Sequence, residues 1–186
     1  MGISRRTIAA IRYGLGFHPG QPPAGSPDAL MAEARRGASA PLELAVASLA
    51  DKRERLDKLI TIRKDAGKDS EMFKEARLSL RRDALSEVAT RVYQRALSPH
   101  QFFERLAAFW ADHFAIAGKN AGQLFIAPTF EIEAIRPHIM GRFGDMLGAV
   151  VRHPVMLNYL DQVESFGPAS TAGRRRGRGL NENLPR

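Results

Sequence analysis

The feature that most limits the fold of this chain is its punctuation. From residue 26 onward, serine, proline and glycine fall where helix ends need them, and the apolar residues between them recur three and four apart rather than alternately. Ser26-Pro27-Asp28 reads as a helix start, with an N-cap serine, proline in the first turn and an acid favoured by the helix dipole. That helix is expected to stop near Arg36, at Gly37. A longer helix is expected after Pro41, with Leu42, Val46, Leu49, Leu56 and Ile60 on one stripe that Arg53 interrupts. Gly67-Lys68-Asp69-Ser70 then supplies a C-cap glycine and an N-cap serine. The return helix places Phe73, Ala76, Leu80, Ala84, Val88, Val92 and Ala96 on its inner face, so the two helices should form an antiparallel hairpin.

Ser98-Pro99-His100-Gln101 matches a capping box with proline at the first helical position. The helix behind it carries Phe102, Leu106, Phe109, Trp110, His113 and Phe114 on one side. Residues 118–128 read as less regular, and a short helix from Thr129 to Arg136 is ended by Pro137. Ile139, Phe143, Met146, Leu147 and Val150 mark the next helix, which His153-Pro154 breaks before a last one holding Met156, Leu157, Tyr159 and Leu160. The expected fold is all-α, a long antiparallel helical hairpin plus a cluster of shorter helices in a single domain. Its parts are an N-terminal segment (1–25), the hairpin region (26–97), the helical cluster (98–166) and a glycine/arginine loop (167–186).

At 186 residues with 44% hydrophobic content, the chain can bury a core and is not fully disordered. It has no cysteine, which excludes disulfides and thiolate metal sites. No apolar run approaches the roughly 18 residues of a membrane-crossing helix. Ser4-Arg5-Arg6-Thr7-Ile8-Ala9 has the look of a twin-arginine export signal, but Arg12, Gly14, Gly16, His18 and Pro19 interrupt the apolar segment such a signal needs, so a cytoplasmic location is favoured. The net charge of +8 is concentrated at the ends, in Arg5, Arg6 and Arg12 and in Arg174, Arg175, Arg176, Arg178 and Arg186. A nucleic-acid surface is disfavoured, because glycine-arginine segments that bind RNA repeat and interleave aromatics, and this one does neither.

His113 lies three residues from Trp110 and seven from Leu106, on the expected apolar side. It reads either as a core histidine or as a metal ligand or general base. Glu131 and Glu133 fall on opposite sides of the start of a short helix, and His138 follows Pro137. Their plain role is acid near a helix N-terminus. The sharper one makes His113, Glu131 and His138 ligands of a divalent ion of the iron, manganese or zinc type, although Glu-x-Glu-x4-His is not a standard metal motif. His153 reads as the N-terminal residue of the last helix, and His100 as exposed.

Several segments occur together: Ile11-Arg-Tyr-Gly-Leu-Gly-Phe-His-Pro-Gly20, Phe109-Trp-Ala-Asp-His-Phe114, Phe130-Glu-Ile-Glu-Ala-Ile-Arg-Pro-His138, Gly141-Arg-Phe143, His153-Pro-Val-Met-Leu-Asn-Tyr-Leu-Asp161, and a tail of four arginines followed by Asn181-Glu182-Asn183. In this order they resemble the bacterial "domain of unknown function 1800" family, a family with no established activity. Many relatives have asparagine at the position of Asp112. In the family the Asn-Glu-Asn run continues into Ala-Arg-Glu-Leu and a further histidine, whereas here Leu184-Pro185-Arg186 follows. The resemblance therefore implies an N-terminal part of the domain, with the C-terminal segment of that domain as its expected partner and the tail from about Gly167 mobile without it. It also implies a polar site of His113, Glu131, His138, Asn181 and Glu182 in a complete relative, with a divalent metal as candidate cofactor. Arg174, Arg175, Arg176 and Arg178 then form an anion-binding lid beside Asn181-Glu182-Asn183. Three functions are weighed on this basis: an enzyme part, inactive as it stands; a helical binding or assembly module without catalysis; and a weak, non-specific nucleic-acid binder working through the arginine tail.

Overall fold

Helix ends in this molecule are set by nearby caps in some places and by distant side chains in others. The computed structural model describes residues 2–17, 22–43, 46–118, 120–167, 169–181 and 183. The helices are α1 Arg5–Arg12, α2 Pro27–Ser39, α3 Leu49–Ala66, α4 Glu71–Leu97, α5 Gln101–His113, α6 Ala121–Phe130, α7 Phe143–Arg152, α8 Pro154–Tyr159 and α9 Thr171–Arg176. No strand occurs among the described residues, so the chain is all-α as expected. None of these helices is long and apolar enough to cross a membrane.

Ser26 caps α2 through its hydroxyl, which accepts from the Ala29 amide at 3.2 Å. Ser70 does the same for α4, accepting from Phe73 at 3.2 Å, after Gly67 has closed α3 at φ 86°. Two expected boundaries move. α2 does not stop at Gly37 but runs through it to Ser39. The glycine is needed for contact instead, since a Cβ there would lie 2.6 Å from the Cβ of Phe103 and 2.8 Å from that of His100. α3 begins at Leu49 rather than after Pro41. Ser48 and Asp51 form a reciprocal capping box there, which leaves Leu42 and Val46 outside the helix.

The Ser98 box also differs. The Ser98 hydroxyl accepts from the His100 amide at 3.2 Å, inside the turn, and the Gln101 side chain donates backwards to the carbonyls of Ser98 (2.7 Å) and Arg95 (3.0 Å), so Gln101 finishes α4 and the reciprocal box expected at α5 is not formed. The N-terminus of α5 is capped from far along the chain, by Glu33 of α2, whose carboxylate accepts from the Phe102 amide at 2.8 Å.

Most of the stretch 118–128 that reads as less regular is helical: α6 runs from Ala121, capped by Asn120, to Phe130 and takes in the start of the short helix expected from Thr129. Pro128 lies inside its last turn and cannot donate to the carbonyl of Leu124. The chain continues as a π-helical turn over Glu131–Ile135 and a 3-10 turn over Arg136–His138. α6 packs against α3, α4 and α8, and Phe125, Ile126 and Phe130 join Leu80, Ala84, Met146, Val150 and Met156 in the main core.

Two inner faces are rotated from their expected positions. On α5 the buried residues are Phe103, Glu104 and Ala107, while Phe109 is 58% exposed. On α4, Leu80 and Ala84 are buried as expected, but Val88, Val92 and Ala96 are exposed and the buried stripe continues through Gln94, with Glu87 and Arg91 half-buried. On α3 the fully buried side chain is Lys52, and Ile60 is exposed.

Candidate functional site

The π-helical turn is the natural place to look, because such turns recur at functional sites and this one carries both candidate acids. It sends Glu131 and Glu133 to different neighbours, as their opposite placement in the sequence suggests. Glu131, 4% exposed, accepts from Arg91 Nε at 2.8 Å and also pairs with Arg91 Nη2. Arg95 Nη2 reaches it at 3.2 Å and Arg136 Nη1 at 3.4 Å. Arg136 also holds Glu104 in a two-pronged pair, at 2.6 Å to Oε1 and 2.9 Å to Oε2, and its guanidinium lies 5.1 Å from the Phe103 ring centre. Gln94 extends the chain of contacts, donating to Glu104 at 3.0 Å and accepting from the Glu43 amide at 2.7 Å. Three guanidinium groups and two carboxylates thus share one buried seam between α4, α5 and the π turn. Burial alone would raise the Glu104 carboxyl, but the Arg136 hydrogen bonds and charge outweigh it and hold Glu104 below the usual carboxylate range. Burial would lower Arg136, and Glu104 and Glu131 hold it above its ordinary value.

Glu133 belongs to a second group. One carboxylate oxygen accepts from the Leu49 amide at 3.0 Å, at the start of α3, and the other lies 3.4 Å from His153 Nε2. His153 Nδ1 accepts from Val155 at 3.3 Å and so caps α8, as its place before Pro154 suggests. That bond puts the neutral ring's proton on Nε2, facing Glu133. Burial lowers the His153 pKa, only partly offset by Glu133. Beside it, Lys52 pairs with Glu87, donates to the Phe125 carbonyl at 2.8 Å and sits 5.1 Å from the centre of the Phe125 ring. Burial lowers its pKa, with Glu87 opposing.

The remaining candidates lie elsewhere. His113 is exposed rather than turned into the core, stacked on Phe109 at 6.3 Å and edge-on to Trp110 at 5.4 Å and Phe114 at 4.8 Å. Phe143 joins this patch through Trp110 and Phe114. His138 is half-buried at the end of the 3-10 turn, with no side-chain partner among the described residues. Among the described residues no three His, Asp or Glu side chains are grouped to hold a metal ion.

The glycine/arginine loop contains α9, so Arg174, Arg175 and Arg176 stand on a short helix capped by Ser170 and closed by Gly177 at φ 60°. Arg178 pairs with Glu164 at 2.8 Å and Arg176 covers the Phe166 ring. The tail folds back on the turn after α8. Asn181 donates to the carbonyl of Asp161 at 3.2 Å, Asn183 to that of Leu160 at 3.3 Å, and the Asn181 amide to Ser165 Oγ at 2.9 Å. Glu182 lies outside the described residues.

Sequence reasoning passed over Arg91, Arg95, Glu104, Lys52 and Glu87. One signal marks part of the set. Glu87, Arg91 and Gln94 continue the three- and four-residue steps of Leu80 and Ala84, so the inner stripe of α4 turns polar without changing direction.

These features define an all-helical protein whose helices are joined by buried ion pairs. The chain belongs to the family described as protein of unknown function (DUF1800), whose model matches residues 9–186. No curated protein and no solved structure matches it.

Proposed function

We infer that this chain works as a helical binding module, in which Glu131 and the charged groups around it join the helices rather than carry out chemistry. One observation carries this reading: Glu131, the acid on which a catalytic reading depends, is buried and takes hydrogen bonds from three arginines. A carboxylate whose oxygens are already held by three guanidinium groups is poorly placed to bind a metal ion or a substrate, because either role would require it to leave those donors. The contact surface in this reading is the patch of Phe109, Trp110, His113, Phe114 and Phe143. Phe109 and Phe143 are 58% and 51% exposed, and grouped exposed aromatics mark surfaces that meet a partner.

The catalytic alternative, with His113, Glu131, His138, Asn181 and Glu182 around a polar pocket and a metal held by the first three, makes a different forecast. Thermal unfolding of the wild type, Glu131→Gln and His113→Ala with and without manganese or zinc separates the two. The module reading expects a large loss in Glu131→Gln, little change in His113→Ala, and no stabilisation by metal in any of them. A metal-dependent rise in melting temperature that disappears in His113→Ala would replace it with the catalytic reading. Anion binding by the tail is a separate proposal that rests on Arg174 and Arg175, both exposed and without acid partners among the described residues. Phosphate-dependent stabilisation, lost when both become alanine, is its test.

A further inference from the structure

Away from the ionic seam, α1, α2 and the start of α5 enclose a half-open groove of about 420 Å³. That volume falls among those of small-ligand sites. The groove exists because its walls are made of residues too small to fill it, chiefly Ala9, Ala10, Pro23 and Ala29. Its frame is fixed on both sides. α2 and α5 meet without a gap at Gly37, where no side chain fits between Phe103 and His100. Opposite, Arg105 Nη1 donates to the Gly14 carbonyl at 2.7 Å and the Tyr13 ring meets Phe102 edge-on at 6.0 Å.

Four polar side chains line this space: Glu33, Arg36, His100 and Gln101. Two are already committed. Glu33 accepts from the Phe102 amide, which balances part of its charge at the N-terminus of α5, and the Gln101 amide donates to two carbonyls of the preceding turn. The other two are not. Arg36 is exposed and has no acid partner among the described residues. His100, expected to be exposed, is half-buried and lines the groove, and its Nδ1 is enclosed without a hydrogen-bond partner. The groove therefore offers an apolar wall and two uncommitted donors, with a guanidinium as its free charge.

We propose that this groove binds a small organic carboxylate with a short apolar body. Its carboxylate is received by Arg36 and His100, and its hydrocarbon lies along the alanine wall. The pairing follows from the donors: guanidinium is a good partner for a planar carboxylate, and apolar walls favour the hydrocarbon by removing it from water. The site shares no residue with the aromatic patch, so it stands or falls independently of the binding-module reading.

The test is an amide-resolved NMR titration of the whole chain with hexanoate, hexanamide and hexylamine. Hexanoate should give saturable shifts confined to the amides of Ala10, Gly14, Ala29 and Gln101. Hexanamide should bind about tenfold more weakly or worse, since it lacks the charge. Arg36→Gln, a change to an exposed side chain, should weaken hexanoate by a similar factor with an unchanged melting curve, and Ala29→Leu should weaken all binding by narrowing the groove. Equal affinity for hexanamide, preference for hexylamine, indifference to Arg36→Gln, or no saturable shift with hexanoate would each overturn the proposal.

Discussion

α4 is one continuous helix with two kinds of inner face. Around Leu80 and Ala84 it presents small and medium apolar groups to Phe125 and the rest of the core. Two turns later, Glu87, Arg91 and Gln94 occupy the equivalent positions and meet Lys52, Glu131 and Glu104. The two halves fail differently when disturbed. An apolar contact degrades in proportion to the volume and area lost, and neighbours relax to soften the damage. A buried ion pair does not degrade smoothly, because removing one partner leaves the other charged in a medium that solvates it poorly. The apolar half therefore supplies general cohesion, while the polar half joins α4 to α3, α5 and the π turn through contacts that each need a specific partner.

The most severe way to probe that contrast is to remove the central acid. Glu131→Gln leaves three guanidinium groups around a neutral amide and should cost about 3–5 kcal/mol, measured by urea unfolding. A loss under about 1 kcal/mol would show that water already compensates the arginines and that the seam is not a keystone. Leu80→Ala, in the apolar half, should cost about 2–5 kcal/mol, and Leu56→Ala less, because Leu56 is only half-buried. If Leu56→Ala proved the costlier of the two, the hairpin's inner face would be wrongly placed.

Acid should act on the polar half before the apolar one. The His153 pKa is lowered by burial, so between its folded value and its ordinary value near 6.5 the folded chain binds fewer protons than the unfolded chain. Stability consequently rises with pH through that window and is lost as pH falls through it. Glu104, also lowered, adds a contribution present above the ordinary carboxylate range and lost as pH drops below it. His153→Asn keeps a capping oxygen and should flatten the upper part of a stability-against-pH curve while leaving the lower part. A wild-type curve that is level from neutrality to the carboxylate range would contradict the arrangement of His153, and one that stays level below that range would contradict that of Glu104. The smallest effect is expected on the outer side of α4. Val92→Ser, at a site 61% exposed, should change stability by no more than about 0.5 kcal/mol, whereas an inward-facing valine would cost several times that.

The all-helical architecture could be read from local chemistry, because Ser26, Ser70 and Gly67 act within a few residues of where they stand. Where the reading slipped, the deciding contact was distant. Glu33 caps α5 from 69 residues away, and no pattern within a helix window reports that. The faces of α4 and α5 were misplaced for a second reason. Apolar periodicity assumes that what is inside is apolar, and here Glu104, Gln94 and Lys52 are inside. Of the candidate site, the divergence of Glu131 from Glu133 was legible from the turn itself. The arginines that surround Glu131 were not, since Arg91 is 40 residues earlier and looks like any solvated helix charge. His113 misled because its aromatic neighbours, taken as core, lie partly on the surface.

The π-helical turn holds one residue more than an α-helical turn would, and an α-helix advances about 100° per residue. The apolar residues of the segment should therefore tolerate exchange better than deletion. Conservative exchanges at Ile132 or Ala134 leave the angular offset between Phe130 and Arg136 intact. Deleting either residue would let the segment close into regular α-helix and swing Arg136 by about that same angle away from Glu104. Glu104 would then lose its two-pronged guanidinium partner, although no charge had been removed. Between Glu131 and Arg136 the number of residues, and not only the identity of the charged ones, decides whether the charges cancel.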